Sequence, residues 1–393
     1  MIPRRVIDLR WRHLAAALWH CAWPPRAAAT APAQALPFLS VRSGFDALLT
    51  ALDLPRGSEV LLSAITVKDM VQIIEAHGLV PVALDVQAHT LAVDADELRL
   101  RCTPRSRMLL LAHLFGSRMP VDALAAVACE RGLLLVEDCA QAFTGDGYRG
   151  HAQTDVAMFS FGPIKTATAL GGGLLFVRDA ALRERMAAVQ RQWPAQGRAW
   201  FARRCAKYAL LKLLSLRPAY TALCAALAAL GQSHEAWIGR MTKNFRAAEL
   251  LMQLRRRPPP ALTQLMLRRW HEAPRSVGAR MRSVQALDAA APSLARPGAG
   301  AVWHTHWVAP VLCGRPEALA ADLYARGFDA SRGSSSMTVA GHAPLAAQWY
   351  AQVLYLPAHE ACSMRDMQRL AQALRHSPAL TPPLRSSVDG SAF

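Results

Sequence analysis

The sequence predicts an α/β protein, with a large domain built on a mainly parallel sheet and a smaller C-terminal α+β domain after it. Three observations lead there. Between residues 40 and 180, short apolar runs alternate with amphipathic runs of period near 3.6, the rhythm of repeated strand–helix units. The strand-like runs are apolar at nearly every position rather than every second one, as strands covered on both faces are. Glycines stand where the helical runs should stop, at Gly78, Gly132 and Gly327.

Residues 1–39 read as an N-terminal arm. Its start, MIPRRVIDLRWRHLAAALWHCAWPP, is basic and partly apolar, but Arg10, Arg12 and His13 interrupt it before a signal-peptide core can form. An Ala- and Pro-rich stretch over 22–39 follows, a connector or an extended arm. The large domain occupies residues 40–240. Here RSGFDALLTALDL gives a turn and a helix, SEVLLSAIT a strand, KDMVQIIEAHG a helix and LVPVALDV a strand. RSRMLLLAHLFG, LLLVEDCAQAF, DVAMFSF and GGGLLFVRD are further strands, with the helix VDALAAVACERG between the first two. From residue 180 the pattern turns helical. An apolar insertion at about 200–232 includes KYALLKLLSLRPAYTALCAALAAL, broken at Pro218. Residues 241–393 form a helical connector and the small domain, with strand-like AVWHTHWVAPVLC, the helix EALAADLYARG, the polar loop FDASRGSSSMTV and the helix SMRDMQRLAQALRH.

Composition bounds the function loosely. The formal charge of +17 comes from 45 Lys and Arg against 28 Asp and Glu. It attracts any polyanion and names none; without a helix-turn-helix or an interleaved basic–aromatic stretch, nucleic acid is not an expected partner. The eight cysteines show no metal-ligand spacing, so no metal is expected, and a reducing, cytoplasmic setting suits their scatter. Residues 207–230 carry three basic residues and no acidic one. They read either as a hairpin packed against the body or a second subunit, or as an element lying on the inner face of a membrane.

The chemistry concentrates in VEDCAQAFTGDGYRG and DVAMFSFGPIKTATALGGG. Asp138 ends an apolar strand, at the sheet edge where open α/β sheets bind ligands. Ser160 ends the next strand, and Lys165 follows in a Gly-bounded turn. A carboxylate, a hydroxyl and an amine at neighbouring strand ends fit pyridoxal 5'-phosphate (PLP). The amine forms a Schiff base, and the carboxylate keeps the pyridine nitrogen protonated so that the ring accepts electrons. Backbone amides near Ser43 and Gly44, at a helix start, would hold the phosphate with Ser160. A lone strand-end Asp is also a common helix cap and a lone loop Lys usually faces solvent, so these residues by themselves only suggest the cofactor.

In order and spacing, RSGFDALLTAL, SEVLLSAITVKDMVQIIEAHGLVPVALDV, HLFGSRMPVDAL, VEDCAQAFTG and FSFGPIKTATALGGG resemble motifs of the DegT/DnrJ/EryC1/StrS family of PLP-dependent, mostly sugar-modifying aminotransferases. The resemblance implies the aspartate-aminotransferase-like (type I PLP) fold. It also implies roles: Lys165 as Schiff-base lysine and proton shuttle, Asp138 on the pyridine nitrogen, Gln141 near the ring's oxygen, Ser160 and the Ser43–Gly44 amides on phosphate. Asn244, in KNFRAAEL, resembles a residue that reaches the phosphate of a neighbouring subunit, which implies a homodimer. Members that dehydrate deoxysugars carry His where this chain has Lys165. The resemblance therefore implies transamination, from an amino-acid donor such as glutamate to a keto or aldehyde group on a sugar-like or lipid-linked acceptor. The alternatives are another PLP-dependent carbanion reaction, or a non-catalytic PLP-fold binding or regulatory protein. Three departures surround the cofactor: Phe45 replaces a phosphate-binding Thr, Val67 stands where an aromatic residue covers the ring, and Gly171 replaces a Glu. Met70 or an aliphatic side chain is the expected substitute cover.

Overall fold

In the computed structural model, residues 1–24, 30–235, 237, 249–272, 274–333 and 337–383 are described. The large domain is organised by one seven-stranded sheet, in the order β1-β9-β8-β7-β5-β2-β4. Its strands are β1 (Ala35–Phe38), β2 (Glu59–Ser63), β4 (Val80–Leu84), β5 (Ser106–Ala112), β7 (Leu134–Asp138), β8 (Val156–Ser160) and β9 (Gly173–Val177). The run from β4 through β2, β5 and β7 to β8 is parallel throughout, and β9 pairs antiparallel with both β8 and β1. Helices α2 (Val41–Leu52), α3 (Lys68–Ala76), α4 (Ala95–Arg101) and α5 (Asp122–Glu130) link the strands, and α6 (Ala180–Arg191) follows β9. Every residue of β2 and β9 is buried, which is why these runs carry no polar–apolar alternation.

The stretch read as a connector or an extended arm, residues 22–39, ends in an extended strand, and a helix precedes it. Residues Trp11–Ala22 form α1, packed on α7 (Arg198–Leu214), and Ala35–Phe38 form an edge strand of the main sheet. Proline at position 37 argues for a connector, but an edge strand tolerates it because one row of its N–H groups needs no partner. The apolar insertion also begins earlier than its leucine-rich stretch. Helix α7 starts at Arg198, and α8 (Arg217–Ala229) leaves it at a 93° bend. Pro218 sits in the first turn of α8, where its missing N–H costs nothing.

The C-terminal part packs a third core around the antiparallel pair Ala309–Leu312 and Val353–Leu356, covered by the helices Arg275–Ala290, Pro316–Ala325 and Met364–Arg375. Two cross-links tie it to the large domain. Met337–Val339 pairs antiparallel with β3 (Ile65–Val67), and Trp303–His304 pairs with β6 (Ser117–Arg118). The arm joins both halves. Ile2 bridges Phe328, and Arg4 Nε lies 2.7 Å from Asp329 Oδ2, a buried carboxylate that also accepts from Tyr220 Oη at 2.5 Å.

Candidate active site

Parallel strands deliver their carboxyl ends to one sheet edge, and that topology builds the site. Asp138 ends β7 and Ser160 ends β8, with Asp138 opposite Met158 and Ser160 opposite Gly173. Because β9 runs back, the glycines preceding it reach the same edge. A Cβ on Gly173 would lie 2.5 Å from Val41 N and 2.6 Å from Ser40 C, so only glycine lets the start of α2 approach this closely.

Lys165 closes the turn after β8, where its N–H donates to Gly162 O at 3.0 Å. Its amine lies 4.2 Å from the centroid of the Trp307 ring, and Trp307 Nε1 donates to Ile164 O at 2.9 Å, fixing the indole over the lysine. Burial pushes the amine down to about 7; Asp138 opposes that shift, and Arg5 and Arg42 add to it. Asp138 has its own carboxyl pushed up by burial, against the N–H of Ala140, Lys165 and His113. Its Oδ1 accepts from Ala140 N at 2.9 Å, and Oδ2 has no donor among the described residues. Two non-glycine residues beyond the lysine, Ala167 and Leu170, hold left-handed φ values of 55° and 66°. Ala167 is secured by its N–H, which donates to Asp8 Oδ2 of the arm at 3.0 Å. Backbone strain of this kind persists where surrounding contacts over-determine it.

The carboxylate next to Asp138 has a different task. Glu137 is fully buried and accepts from Tyr148 Oη (2.5 Å), His151 N (2.6 Å), Thr154 Oγ1 and His113 Nε2 (2.7 Å). His113 must donate from Nε2, since its Nδ1 accepts the N–H of Met119 at 3.1 Å. Burial would raise the Glu137 carboxyl, but His113, Thr154 and Tyr148 together hold it down to about 2. The saturated carboxylate locks the strand end that presents Asp138.

Gln141 also stands at this edge. Its Oε1 accepts from Phe115 N at 2.8 Å, which fixes the amide and leaves Nε2 only a 3.8 Å contact with Met337 sulfur. The phosphate cradle expected at Ser43 and Gly44 needs revision. Ser43 N donates to Ser40 Oγ at 3.1 Å and Gly44 N donates to Ser40 O at 3.1 Å, so both amides are used inside the helix. Ser40 is the N-cap, and Val41 and Arg42 therefore carry the amides without an intrahelical acceptor. Phe45 is wholly buried core, and Met70 is buried too, whereas Val67 is part-exposed. Asn244 lies outside the described residues.

Sequence reasoning missed the opposite wall of the site. A cavity beside the lysine is lined by Arg5, Val6 and Asp8 from the arm, Ile164 to Thr166, and Arg280, Trp307, His359 and Glu360. These come from five separate segments, which no local spacing could reveal.

The lysine amine, the half-satisfied Asp138 carboxylate and the tight glycine turn at a helix start fit PLP. The sequence profile of the DegT/DnrJ/EryC1/StrS aminotransferase family matches residues 32–216. Over those residues, just under half of its length, the chain is similar to this family. Among curated proteins it is 39% identical over 155 residues to the erythromycin biosynthesis sensory transduction protein EryC1 of Saccharopolyspora erythraea, a match covering 38% of this chain and 42% of that one. Among solved structures it resembles the aminotransferase TlmJ from Streptoalloteichus hindustanus, with TM-score 0.67 and 20% identity over 96% of this chain and 98% of that one. The sugar aminotransferase CalS13 from Micromonospora echinospora gives TM-score 0.66 and 19% identity, over 95% and 99%. These likenesses show the fold, which is the type I PLP aminotransferase fold.

Proposed function

We propose that the chain is a PLP-dependent aminotransferase that moves an amino group from an amino-acid donor, glutamate in the first instance, to a keto or aldehyde carbon of a sugar-like or lipid-linked acceptor. The observation that carries this reading is the placement of Lys165, in the turn after β8, near Asp138 at the end of the adjoining β7, with the amine pushed down to about 7. Bound PLP supplies the electron sink that lets nitrogen leave one carbon and join another. Lys165 Nζ, pushed down to about 7 by burial, would hold the cofactor covalently and would be the base that moves the proton at the reacting carbon. Asp138 Oδ2 holds the proton on the ring nitrogen. Ser160 Oγ and the Val41 and Arg42 amides hold the phosphate, in place of the Ser43 and Gly44 amides. Gln141 Nε2 is the donor left for the ring oxygen, and Val67 covers the ring. The sugar-like acceptor rests on the family and on the sugar aminotransferase CalS13. In the test, PLP-loaded chain given glutamate alone should release one equivalent of 2-oxoglutarate and then aminate a member of a keto-sugar panel. Release at the parental rate from Lys165→Ala would overturn the reading.

The working unit in this reading is a homodimer, and a fully active monomer at high dilution in light scattering would contradict it. The lipid-linked acceptor rests on one surface. Trp11, Trp19, Trp23, Leu210, Leu213 and Leu216 are exposed along α1, α7 and the bend before α8, with Arg10, Arg12, Arg203 and Arg217 also exposed. None of the three helices contains an acidic residue. No single helix among the described residues is long and apolar enough to cross a membrane; α7 and α8 reach that length and hydropathy only together, across their 93° bend, and we read their contact as peripheral. Flotation with anionic vesicles, lost when Leu210, Leu213 and Leu216 become Ser in a protein that stays dimeric, is the expected result. No flotation by the parent, with dimer loss in the variant, assigns the face to the second subunit.

A further inference from the structure

The turn that carries Lys165 holds a conformation its own residues disfavour. Ala167 and Leu170 are both left-handed, where glycine fits without cost and a side chain is strained. Both side chains are buried in the core, so neither can relax toward solvent. One carbonyl closes the base of the turn: Phe161 O accepts from Ala169 N at 2.9 Å and from Gly171 N at 3.0 Å. The two strained residues are gripped from outside it. Asp8 of the arm accepts the N–H of Ala167, and Arg204 of α7 donates from Nε to Leu170 O.

Each grip is itself braced. Asp8 Oδ2 also accepts from Ser276 Oγ at 2.8 Å and lies 3.3 Å from Arg269 Nη2, which donates to Asp8 O at 3.0 Å. Earlier in the arm, Arg4 pairs with Asp329, Pro3 O accepts from His359 Nε2 at 3.0 Å, and Arg5 rests 4.8 Å from the Trp307 centroid. The Arg204 guanidinium lies 5.3 Å from the ring centroids of both Trp200 and Tyr208. Lys212 Nζ donates to Ile7 O at 3.3 Å, which ties α7 to the arm beside Asp8. The two grips therefore act as one block.

We infer that Asp8 and Arg204 are positioning residues for Lys165: they hold its turn in the strained conformation and so keep the amine buried against Trp307 and near Asp138. The inference rests on the proposed role of Lys165. Charged partners suit the task, because a hydrogen bond to an ion is strong enough to offset one left-handed side chain. A released turn would let the amine reach water, which returns it toward its ordinary proton affinity. Asp138, Arg5 and Arg42 act on the amine, and Asp8, Arg280, His359 and Glu360 share its cavity. Loss of Asp8 as a bare charge would lower the amine's midpoint, whereas release of the turn raises it. The sign separates the two.

The test is acetic anhydride labelling of cofactor-free protein against pH, with the exposed Lys68 as internal reference. Asp8→Ala and Arg204→Met should each raise the Lys165 midpoint by about one pH unit or more and leave Lys68 unchanged. Asp8→Asn keeps an oxygen for Ala167 N and should move the midpoint less than half as far. Adding Ala167→Gly should return the midpoint to within about 0.3 unit of the parent in either background, because glycine holds the left-handed conformation unaided. That substitution would not reverse an effect of charge alone. Unmoved midpoints in both variants, a lowered one in Asp8→Ala, or a rise that Ala167→Gly leaves in place overturns the inference. If Asp8→Ala does not fold, Arg204→Met with and without Ala167→Gly decides. A parent that takes up no PLP by visible absorbance, in a series that shows these shifts, overturns the proposed function and leaves the positioning role standing. Normal uptake with unmoved midpoints does the reverse.

Discussion

The lysine amine gives the most quantitative prediction. Lys165 is pushed down to about 7 from an ordinary 10.5, with burial the largest cause. At pH 7.5 an ordinary lysine is only about 0.1% uncharged, whereas one titrating near 7 is roughly 75% uncharged, a gain of several hundredfold in reactive amine. The assay is competitive labelling of cofactor-free protein with trace acetic anhydride between pH 5 and 11, read peptide by peptide. Lysines 68, 165, 207, 212 and 243 are the five in the chain, so each is resolved separately. Labelling at Lys165 should rise with a midpoint near 7. In Asp138→Asn the midpoint should fall further, since the carboxylate is what holds the amine's proton on; in Arg42→Gln it should rise. A midpoint near 10 in the folded parent, or an upward shift in Asp138→Asn, would refute the reasoning.

Three further outcomes follow from the same geometry. Asp138→Asn should keep its fold and lose most of its turnover, about 100-fold or more, because an amide cannot hold the ring proton; equal rates would make Asp138 a mere strand-end cap. Glu137 titrates near 2 when folded and near 4.5 when unfolded, so its contribution is present above pH 4.5 and is lost as pH falls toward 2. It amounts to about 3 kcal/mol, and acid denaturation of Glu137→Gln should show a correspondingly weaker dependence in that window. Gly173→Ala drives a Cβ against the backbone of Ser40 and Val41, so chemical denaturation should show a loss of about 1–3 kcal/mol together with weakened PLP uptake; parental values in both would remove the turn from the phosphate site.

Much of this is legible in the sequence, for physical reasons. The runs LLLV, VAMF and GLLFV are apolar throughout because helices or loops cover both faces, and that places Asp138, Ser160 and Lys165 at one sheet edge. The start of α2 lies a few residues before Ser43 and Gly44. Ser40 is a legible N-cap, and taking it as such would have moved the free amides from Ser43 and Gly44 to Val41 and Arg42. The Ala35–Phe38 strand was hidden by Pro37, whose harmlessness depends on lying at the sheet edge. The pairing of Met337–Val339 with Ile65–Val67 joins segments far apart in the chain, and nothing local announces it. Arg5 was invisible for another reason. In an arginine-rich chain, one more arginine near the terminus looks like surface charge until the arm is seen pinned against Trp307.

The most direct measurement of the central claim is reductive trapping. Purified chain is loaded with PLP, treated with borohydride to fix the lysine–cofactor bond, digested and mapped by mass spectrometry. The account predicts one phosphopyridoxyl group per chain, on the peptide containing Lys165, and none in a sample first saturated with glutamate. Label on Lys68, Lys207, Lys212 or Lys243 instead, or no stoichiometric label at all, would contradict it.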